Sequence, residues 1–323
     1  MTTTLNSIED LKRRVPALQL IGNTPLIDVN VYENLFPRLS IQAKAEWVNP
    51  GGSIKDRAVL NMLAGIDPDV LGSRRVLDST SGNSGIAYAM IGAALGIPVT
   101  LVIPGNASQE RLRRIKAHGA EVILTDPLLG YDEAMRRAHQ LAHENPDRYL
   151  LVDQYSNAAN WQAHYHGTGA EIAKKGSGHF FDGYGKRAQG RVVPFTHFIS
   201  GVGTGGTLTG IGLRLKDEWP DLKVVLVQPE EFPGIEGLKP LKAPGSIKPK
   251  NFHESLVDLR IDVTVDEAFE ASRLLARNGL FVGQSSGANL AAARKLAQRE
   301  PEARIVTVFA DTGERYYSTG LWD

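Results

Sequence analysis

The sequence contains no cysteine. Disulfides, thiolate metal sites and a cysteine nucleophile are therefore excluded, and the absence fits a reducing compartment. Charge bias is also missing: Lys plus Arg and Asp plus Glu each total 36, for a net charge of zero. Such balance gives no electrostatic footing for nucleic acid or an anionic membrane as the main partner. The opening residues, MTTTLNSIEDLKRRVP, lack the apolar core of a signal peptide. One uncharged run, 86–105, has the length of a membrane span, but Pro98 and several glycines interrupt it. It reads better as a helix followed by a strand. No short-period repeat, heptad array or low-complexity tract is present. The expectation is a soluble, cytoplasmic protein that acts on small molecules.

With 323 residues, 42% of them hydrophobic and 22% charged, the chain can bury one large core or two ordinary ones. Short apolar, β-branched runs recur at 74–79, 98–104, 120–126, 196–202, 223–229 and 304–311. Helix-period segments lie between them, among them 108–119, 131–145 and 265–279. Strand–helix alternation predicts an α/β fold with mostly parallel sheets, and near-continuous apolar strands predict burial on both faces. Two stretches read as long loops. One, 174–194, is glycine-rich with five basic residues and reads as a solvated excursion. The other, 229–252, is rich in Pro, Gly and Lys. It follows a strand end, where ligand sites lie in α/β sheets, so a functional role is expected there.

Four stretches could carry chemistry. In the first, 49–57 (NPGGSIKDR), a turn leads into a helical pattern. Ser53 is expected to cap that helix, with Asp56 three residues on forming a near capping box. Lys55 then sits in the first turn, where the helix dipole disfavours its charged form. A neutral lysine is what imine formation with an aldehyde requires. Taken alone, the same residue could be an ordinary surface lysine paired with a carboxylate. The second stretch, Thr80-Ser81-Gly82-Asn83-Ser84-Gly85, links a strand to a helix. Its small polar residues could hold an anion such as a substrate carboxylate, or serve equally as a plain capped turn.

The third stretch is Gly201-Val202-Gly203-Thr204-Gly205-Gly206-Thr207, again between a strand and a helix. Glycines there let the backbone approach a phosphate, with N–H groups and threonine hydroxyls as donors. It also fits G-x-G-x-x-G at 201, 203 and 206, with Glu230 and Glu231 beyond the next strand. A dinucleotide site, and with it an NAD(P)-dependent oxidoreductase, therefore competes. The fourth, 283–289 (GQSSGAN), opens a helix and alone reads as a cap. His139 and His143 share a helix face and His164 and His166 alternate, but the spacing fits solvated or structural histidines better than a metal site.

In this order and spacing the four stretches resemble the β-family of pyridoxal-phosphate (PLP) enzymes, fold type II. Further similarity lies in IGNTPL (21–26), QPEEFPGI (228–235) and ERYYSTG (314–320), and extends from about residue 18 to the end. Within the family the chain is most similar to cysteine synthases (O-acetylserine sulfhydrylases), particularly the B type, and next to cystathionine β-synthases. Ser84 stands where the family usually has Thr, and the 174–194 stretch looks longer than usual.

The resemblance implies two three-layer α/β domains with PLP between them. A smaller, mobile domain would span 48–160 and hold the substrate carboxylate. A larger one, 1–47 plus 161–323, would bind the phosphate. Lys55 would carry PLP as an internal Schiff base and act as the base at Cα. Asn83 would bond the ring hydroxyl, Ser285 the pyridine nitrogen, and Gly203, Thr204, Gly205, Gly206 and Thr207 the phosphate. Thr80, Ser81, Asn83 and Gln154 would engage the substrate. The expected reaction is β-replacement through an aminoacrylate, forming L-cysteine from O-acetyl-L-serine, or O-phospho-L-serine, and sulfide. After PGI the chain reads Glu236-Gly237-Leu238, without the basic residue of members that favour the phosphorylated donor, although Lys239 and Lys242 are near. Cystathionine formation, a diaminopropionate-type product and, more remotely, dehydration are the alternatives. A homodimer is expected.

Overall fold

The computed structural model describes residues 8–176, 195–232, 234–243 and 246–323. Its strands are β1 (Leu26–Asp28), β2 (Ser40–Ala45), β3 (Arg75–Ser79), β4 (Val99–Pro104), β5 (Glu121–Thr125), β6 (Tyr149–Leu151), β7 (His197–Gly201), β8 (Lys223–Pro229), β9 (Leu259–Val263) and β10 (Arg304–Phe309). All six apolar runs are strands. Four more, β1, β2, β6 and β9, lie outside those runs. The expected helices form at Gln109–Ala117, Gly130–Glu144 and Val265–Arg277.

The chain divides into two compact units. One joins the residues up to Gly22 with Asn49–Asn160, the other Asn23–Val48 with Trp161–Asp323. The resemblance implies a larger domain of 1–47 with 161–323; here the segment up to Gly22 packs with Asn49–Asn160 instead. Leu11, Leu18 and Ile21 are buried in one cluster with Val59, Leu60, Leu63, Ile86 and Ile91. Burying three such side chains contributes about 5–9 kcal/mol at about 1.5–3 each, which fixes the segment on that unit.

The first unit holds a four-stranded, all-parallel sheet in the order β5-β4-β3-β6. Alternate residues face opposite layers, as strand geometry requires. Val76, Leu101 and Ile103 join the cluster with the helices Lys55–Ala64 and Asn83–Leu95. Leu77 and Val102 face Ala134, Ala138 and Leu141 of the Gly130–Glu144 helix. Every residue of β4 is buried, whereas edge strand β5 is largely exposed or half-buried. The long uncharged run resolves into the Asn83–Leu95 helix and β4, with Gly96 in the left-handed region (φ +68°) ending the helix. Among the described residues no helix is long and apolar enough to cross a membrane.

The second unit carries a six-stranded sheet in the order β1-β2-β10-β7-β8-β9, parallel except for β1 against β2. Ile199, Val225, Val227 and Ile305 pack with the helices Val265–Arg277 and Gln284–Ala297. On the other face the Gly206–Glu218 helix comes so close that a Cβ on Gly212 would lie 3.3 Å from Val224. Charged Lys44 sits inside β2, fully buried. Its ammonium donates to the Thr24 carbonyl at 2.6 Å and to Glu171 at 2.6 Å, so the buried charge is both paired and hydrogen-bonded. Of the 174–194 stretch, residues up to Gly176 complete the helix Ala170–Gly176, and the rest lies outside the described residues. The 229–252 stretch is irregular, as expected, yet Ile235, Asn251 and Phe252 are buried.

Candidate active site

In the first unit the 49–54 turn is built before the helix begins. The Gly52 N–H closes on the Asn49 carbonyl at 2.7 Å, with Gly52 at φ +76°. Asn49 Oδ1 accepts from Gly22 N–H (2.9 Å), and Arg114 donates to the Pro50 carbonyl (2.9 Å). Lys55 is the first residue of the Lys55–Ala64 helix and half-buried, so its placement in the first turn holds. The capping box does not. Ile54 occupies the N-cap position without a side-chain cap, and Ser53 Oγ accepts from Lys55 N–H at 3.3 Å. Asp56 instead turns back to accept from Gly51 N–H at 2.5 Å. A carboxylate within the first turn serves both that N–H and the helix dipole.

The 80–85 turn follows β3, and Gln154 follows the adjacent strand β6, so both lie past the carboxyl ends of parallel strands. Thr80 Oγ1 accepts from Gly82 N–H and Gly85 N–H, both at 3.0 Å, and so caps the Asn83–Leu95 helix from outside. Ser84 Oγ donates to Gln154 Oε1 at 2.6 Å, and Gln154 Nε2 donates to the Ser79 carbonyl at 2.6 Å. Thr80 and Gln154 are thus bound into the turn's own framework. Ser81 is exposed and Asn83 half-buried at the helix start. The helix Lys55–Ala64 packs on Asn83–Leu95. The structure therefore gathers Lys55, Thr80, Ser81, Asn83 and Gln154 in one unit.

In the second unit the 201–207 turn leaves β7 and enters the Gly206–Glu218 helix through Gly205, at φ +88°. That helix has no side-chain cap and no acidic residue in its first turn. Its N-terminal N–H groups and dipole thus present a positive end suited to a phosphate. The glycines are demanded by neighbours from the 229–252 stretch. A Cβ on Gly203 would lie 2.6 Å from the Gly237 carbonyl oxygen, and one on Gly205 2.6 Å from the Phe252 backbone nitrogen. Thr204 is buried, and Thr207 Oγ1 lies 3.5 Å from His164 Nε2. His164 belongs to a π-helical turn, His164–Gly169, against which Gly210 packs too closely for a side chain. Such turns concentrate at functional sites.

Ser285, buried, is the second residue of the Gln284–Ala297 helix. Asn289 ties this helix to the glycine turn: its Oδ1 accepts from Gly201 N–H (3.1 Å) while its Nδ2 donates to the Val308 carbonyl (2.9 Å). The unit therefore holds Gly203, Thr204, Gly205, Gly206, Thr207 and Ser285 in one framework. Asn289 was legible only as a motif letter and His164 only as one of two alternating histidines, because their partners lie 88 and 43 residues away.

The dinucleotide alternative needs a free acid after β8. Of the two acids there, Glu230 accepts from Val265 N–H at 2.5 Å, at the start of the next helix, and only Glu231 stays exposed. The second unit's uncapped, acid-free helix end and its buried neutral serine suit a phosphate and a ring nitrogen, and the first unit, taken by itself, sets a lysine at a helix start. The His139 ring lies 3.6 Å from Asp153, and among the described residues no group of three or more His, Cys, Asp or Glu is placed to hold a metal.

A family profile described as "Pyridoxal-phosphate dependent enzyme" matches residues 17–311. The chain belongs to the pyridoxal-phosphate dependent enzymes. PLP is its cofactor. The enzyme is 45% identical to a protein named cysteine synthase from Aquifex aeolicus, over 96% of this chain and 93% of the relative. It is 37% identical to cysteine synthase B of Salmonella typhimurium, over 94% of this chain and 95% of that one. A crystal structure of O-ureido-L-serine synthase superimposes with a TM-score of 0.82 at 32% identity, covering 95% of this chain and 94% of that chain. The two-sheet, mostly parallel α/β architecture expected from the resemblance is the one found.

Proposed function

We propose that the enzyme makes L-cysteine by β-replacement, joining sulfide to an activated serine, with O-acetyl-L-serine as the donor. The observation that carries the reading is the uncapped, acid-free helix start after Gly205, crowded so that only glycine fits at 203 and 205. It supports a phosphate anchor in an enzyme similar to cysteine synthases along nearly its whole length. When bound, PLP withdraws electrons from the Cα of an attached amino acid, so that a leaving group on Cβ can depart. The protein supplies position and proton transfer.

Lys55 would hold the cofactor aldehyde through Nζ. Displaced by the substrate amine, the neutral Nζ would take the proton from Cα. Gly203, Thr204, Gly205, Gly206 and Thr207 would bind the phosphate, Asn83 the ring hydroxyl, and Ser285 the pyridine nitrogen. A serine hydroxyl stabilises a protonated ring nitrogen less than a carboxylate would, which favours prompt loss of the leaving group. Ser81 would meet the substrate carboxylate, on a turn whose shape Thr80 and Gln154 maintain. The substrate roles thus fall to the first unit and the phosphate and ring-nitrogen roles to the second. A homodimer in the cytoplasm is the proposed assembly and compartment. Glu236, rather than a basic residue, follows the PGI sequence, which favours the acetylated over the phosphorylated donor.

The test is the visible spectrum of the purified holoenzyme before and after O-acetylserine, then sulfide, with cysteine assayed. A yellow protein whose colour changes with donor and returns with sulfide, with cysteine formed, is expected. Lys55→Ala should lose turnover; normal turnover in that variant overturns the assignment. A colourless protein that takes up no PLP overturns the cofactor roles.

A further inference from the structure

Behind the 80–85 turn lies a carboxylate that none of these roles uses. Asp78 is the penultimate residue of β3, before Ser79, and is 2% exposed. Its Oδ1 accepts from Ser79 N–H at 2.8 Å. Its Oδ2 accepts from the Tyr88 hydroxyl at 2.5 Å and from Gln154 N–H at 3.1 Å. Gln154 accepts from Ser84 and donates to the Ser79 carbonyl, both at 2.6 Å. Tyr131 closes the ring from the other layer, its hydroxyl 3.0 Å from Ser79 Oγ and donating to the Ser79 carbonyl at 3.2 Å, while its ring stacks on Tyr155. One carboxylate therefore fastens the end of β3, the Asn83–Leu95 helix and the segment after β6 to one another.

An acid at this position is expensive. Burial pushes the Asp78 carboxyl up to about 7, against the lowering effect of its hydrogen bonds, and the nearby charge of Asp153 pushes the same way. An apolar side chain would avoid desolvating a charge but would leave the Ser79, Tyr88 and Gln154 donors without an acceptor. A costly group retained beside a binding turn is the pattern of function held against stability.

We propose that Asp78 is a positioning residue for the amino-acid substrate: its carboxylate sets Gln154 and the 80–85 turn in the geometry that receives the substrate carboxylate. The proposal rests on the substrate role given above to that turn. The titratable groups facing Asp78 are Tyr88 from the Asn83–Leu95 helix, Tyr131 from the Gly130–Glu144 helix, and Asp153 and Tyr155 from the segment after β6. The three tyrosines are all pushed above their ordinary range. As pH falls through about 7, Asp78 gains a proton on a carboxyl whose oxygens already accept three hydrogen bonds. The turn then loosens, and KM for the amino acid rises.

The experiment measures KM and kcat for O-acetylserine against pH in the holoenzyme and in Asp78→Asn and Tyr88→Phe. An amide must aim its NH2 at one of the existing donors. Asp78→Asn should therefore raise KM about tenfold with kcat within about threefold and PLP content unchanged, the signature of lost substrate binding. The acid limb near pH 7 should vanish. Tyr88→Phe removes a bond that holds the Asp78 pKa down, so its acid limb should move to higher pH, with a smaller rise in KM. A folded, PLP-replete Asp78→Asn with the wild-type KM and acid limb overturns the proposal while leaving the cysteine-forming reading intact. If Asp78→Asn does not fold, unchanged KM and an unmoved limb in Tyr88→Phe overturn it. Failure of the wild-type enzyme to make cysteine is the separate failure of the parent reading.

Discussion

Replacing Gly205 with alanine tests the phosphate anchor at its tightest point. Gly205 stands at φ +88°, and an added Cβ would lie 2.6 Å from the Phe252 nitrogen and 2.7 Å from its Cα. Two costs follow. The left-handed conformation costs an L-residue about 1–2 kcal/mol. The overlap involves backbone, which cannot rotate away, and overpacking of this kind costs about 1–3 kcal/mol. Together they come to about 2–5 kcal/mol, relieved only by moving the turn away from the 251–252 segment. If the whole sum falls on the geometry that binds phosphate, PLP affinity drops about 30-fold to several thousand-fold, at tenfold per 1.4 kcal/mol.

Two neighbouring glycines separate the two costs. Gly237 has φ +85° and nothing within 4 Å of an added Cβ, so Gly237→Ala carries the conformational cost alone. Gly203 lacks a positive φ, yet its Cβ would lie 2.6 Å from the Gly237 oxygen, so Gly203→Ala carries the steric cost alone. The assay is PLP affinity by equilibrium dialysis of each apoenzyme, with thermal unfolding at several PLP concentrations. Binding to the native state raises stability with ligand concentration, and the weaker binder should lose that increment. Gly205→Ala should be worst in both readouts. If it binds PLP like wild type, or if the three variants are indistinguishable, the reasoning about crowding at this turn is wrong.

Thr264 Oγ1 accepts from Glu267 N–H at 3.2 Å, and Glu267 Oε2 accepts from Thr264 N–H at 2.9 Å, a complete capping box on the Val265–Arg277 helix. Thr264→Ala should cost about 1 kcal/mol in urea unfolding with KM values unchanged. Asp78 gives stability an unusual pH dependence. Its folded pKa, about 7, is raised from 3.8, so its contribution is full below about pH 4 and is lost as pH rises through 7. Between pH 5 and 8 the wild type should therefore lose about 3 kcal/mol relative to Asp78→Asn, read as converging or crossing urea midpoints. A constant offset between the two would contradict the assigned ionisation.

Much of this was legible in the sequence, for reasons tied to particular elements. Strands such as β4 and β8 are buried along almost their whole length, so their apolar runs stand out without alternation. The glycine turn announces itself because close backbone approach forbids side chains. What stayed hidden depends on partners far along the chain. β2 carries Lys44, which argues against a buried strand until Glu171, 127 residues away, is seen to neutralise it. Ser53 has the right chemistry for a cap, yet the Gly52 turn leaves it bonding only Lys55 N–H, and Asp56 finds Gly51 instead. The N-terminal segment joins the first unit because of where Leu18 and Ile21 are buried, which sequence order does not encode. Asp78 reads as one more polar residue until Gln154, 76 positions on, lies against it.

Asn289 gives the second unit a ruler. A single amide joins the first N–H of the glycine turn to the strand that neighbours it and rides on the helix bearing Ser285. The proposed phosphate anchor and ring-nitrogen contact therefore share one rigid baseline and cannot drift independently. A phosphorylated ring that reaches both would be held at the spacing this amide maintains. Under the proposed roles, discrimination between cofactors by length would depend on a side chain that touches none of them.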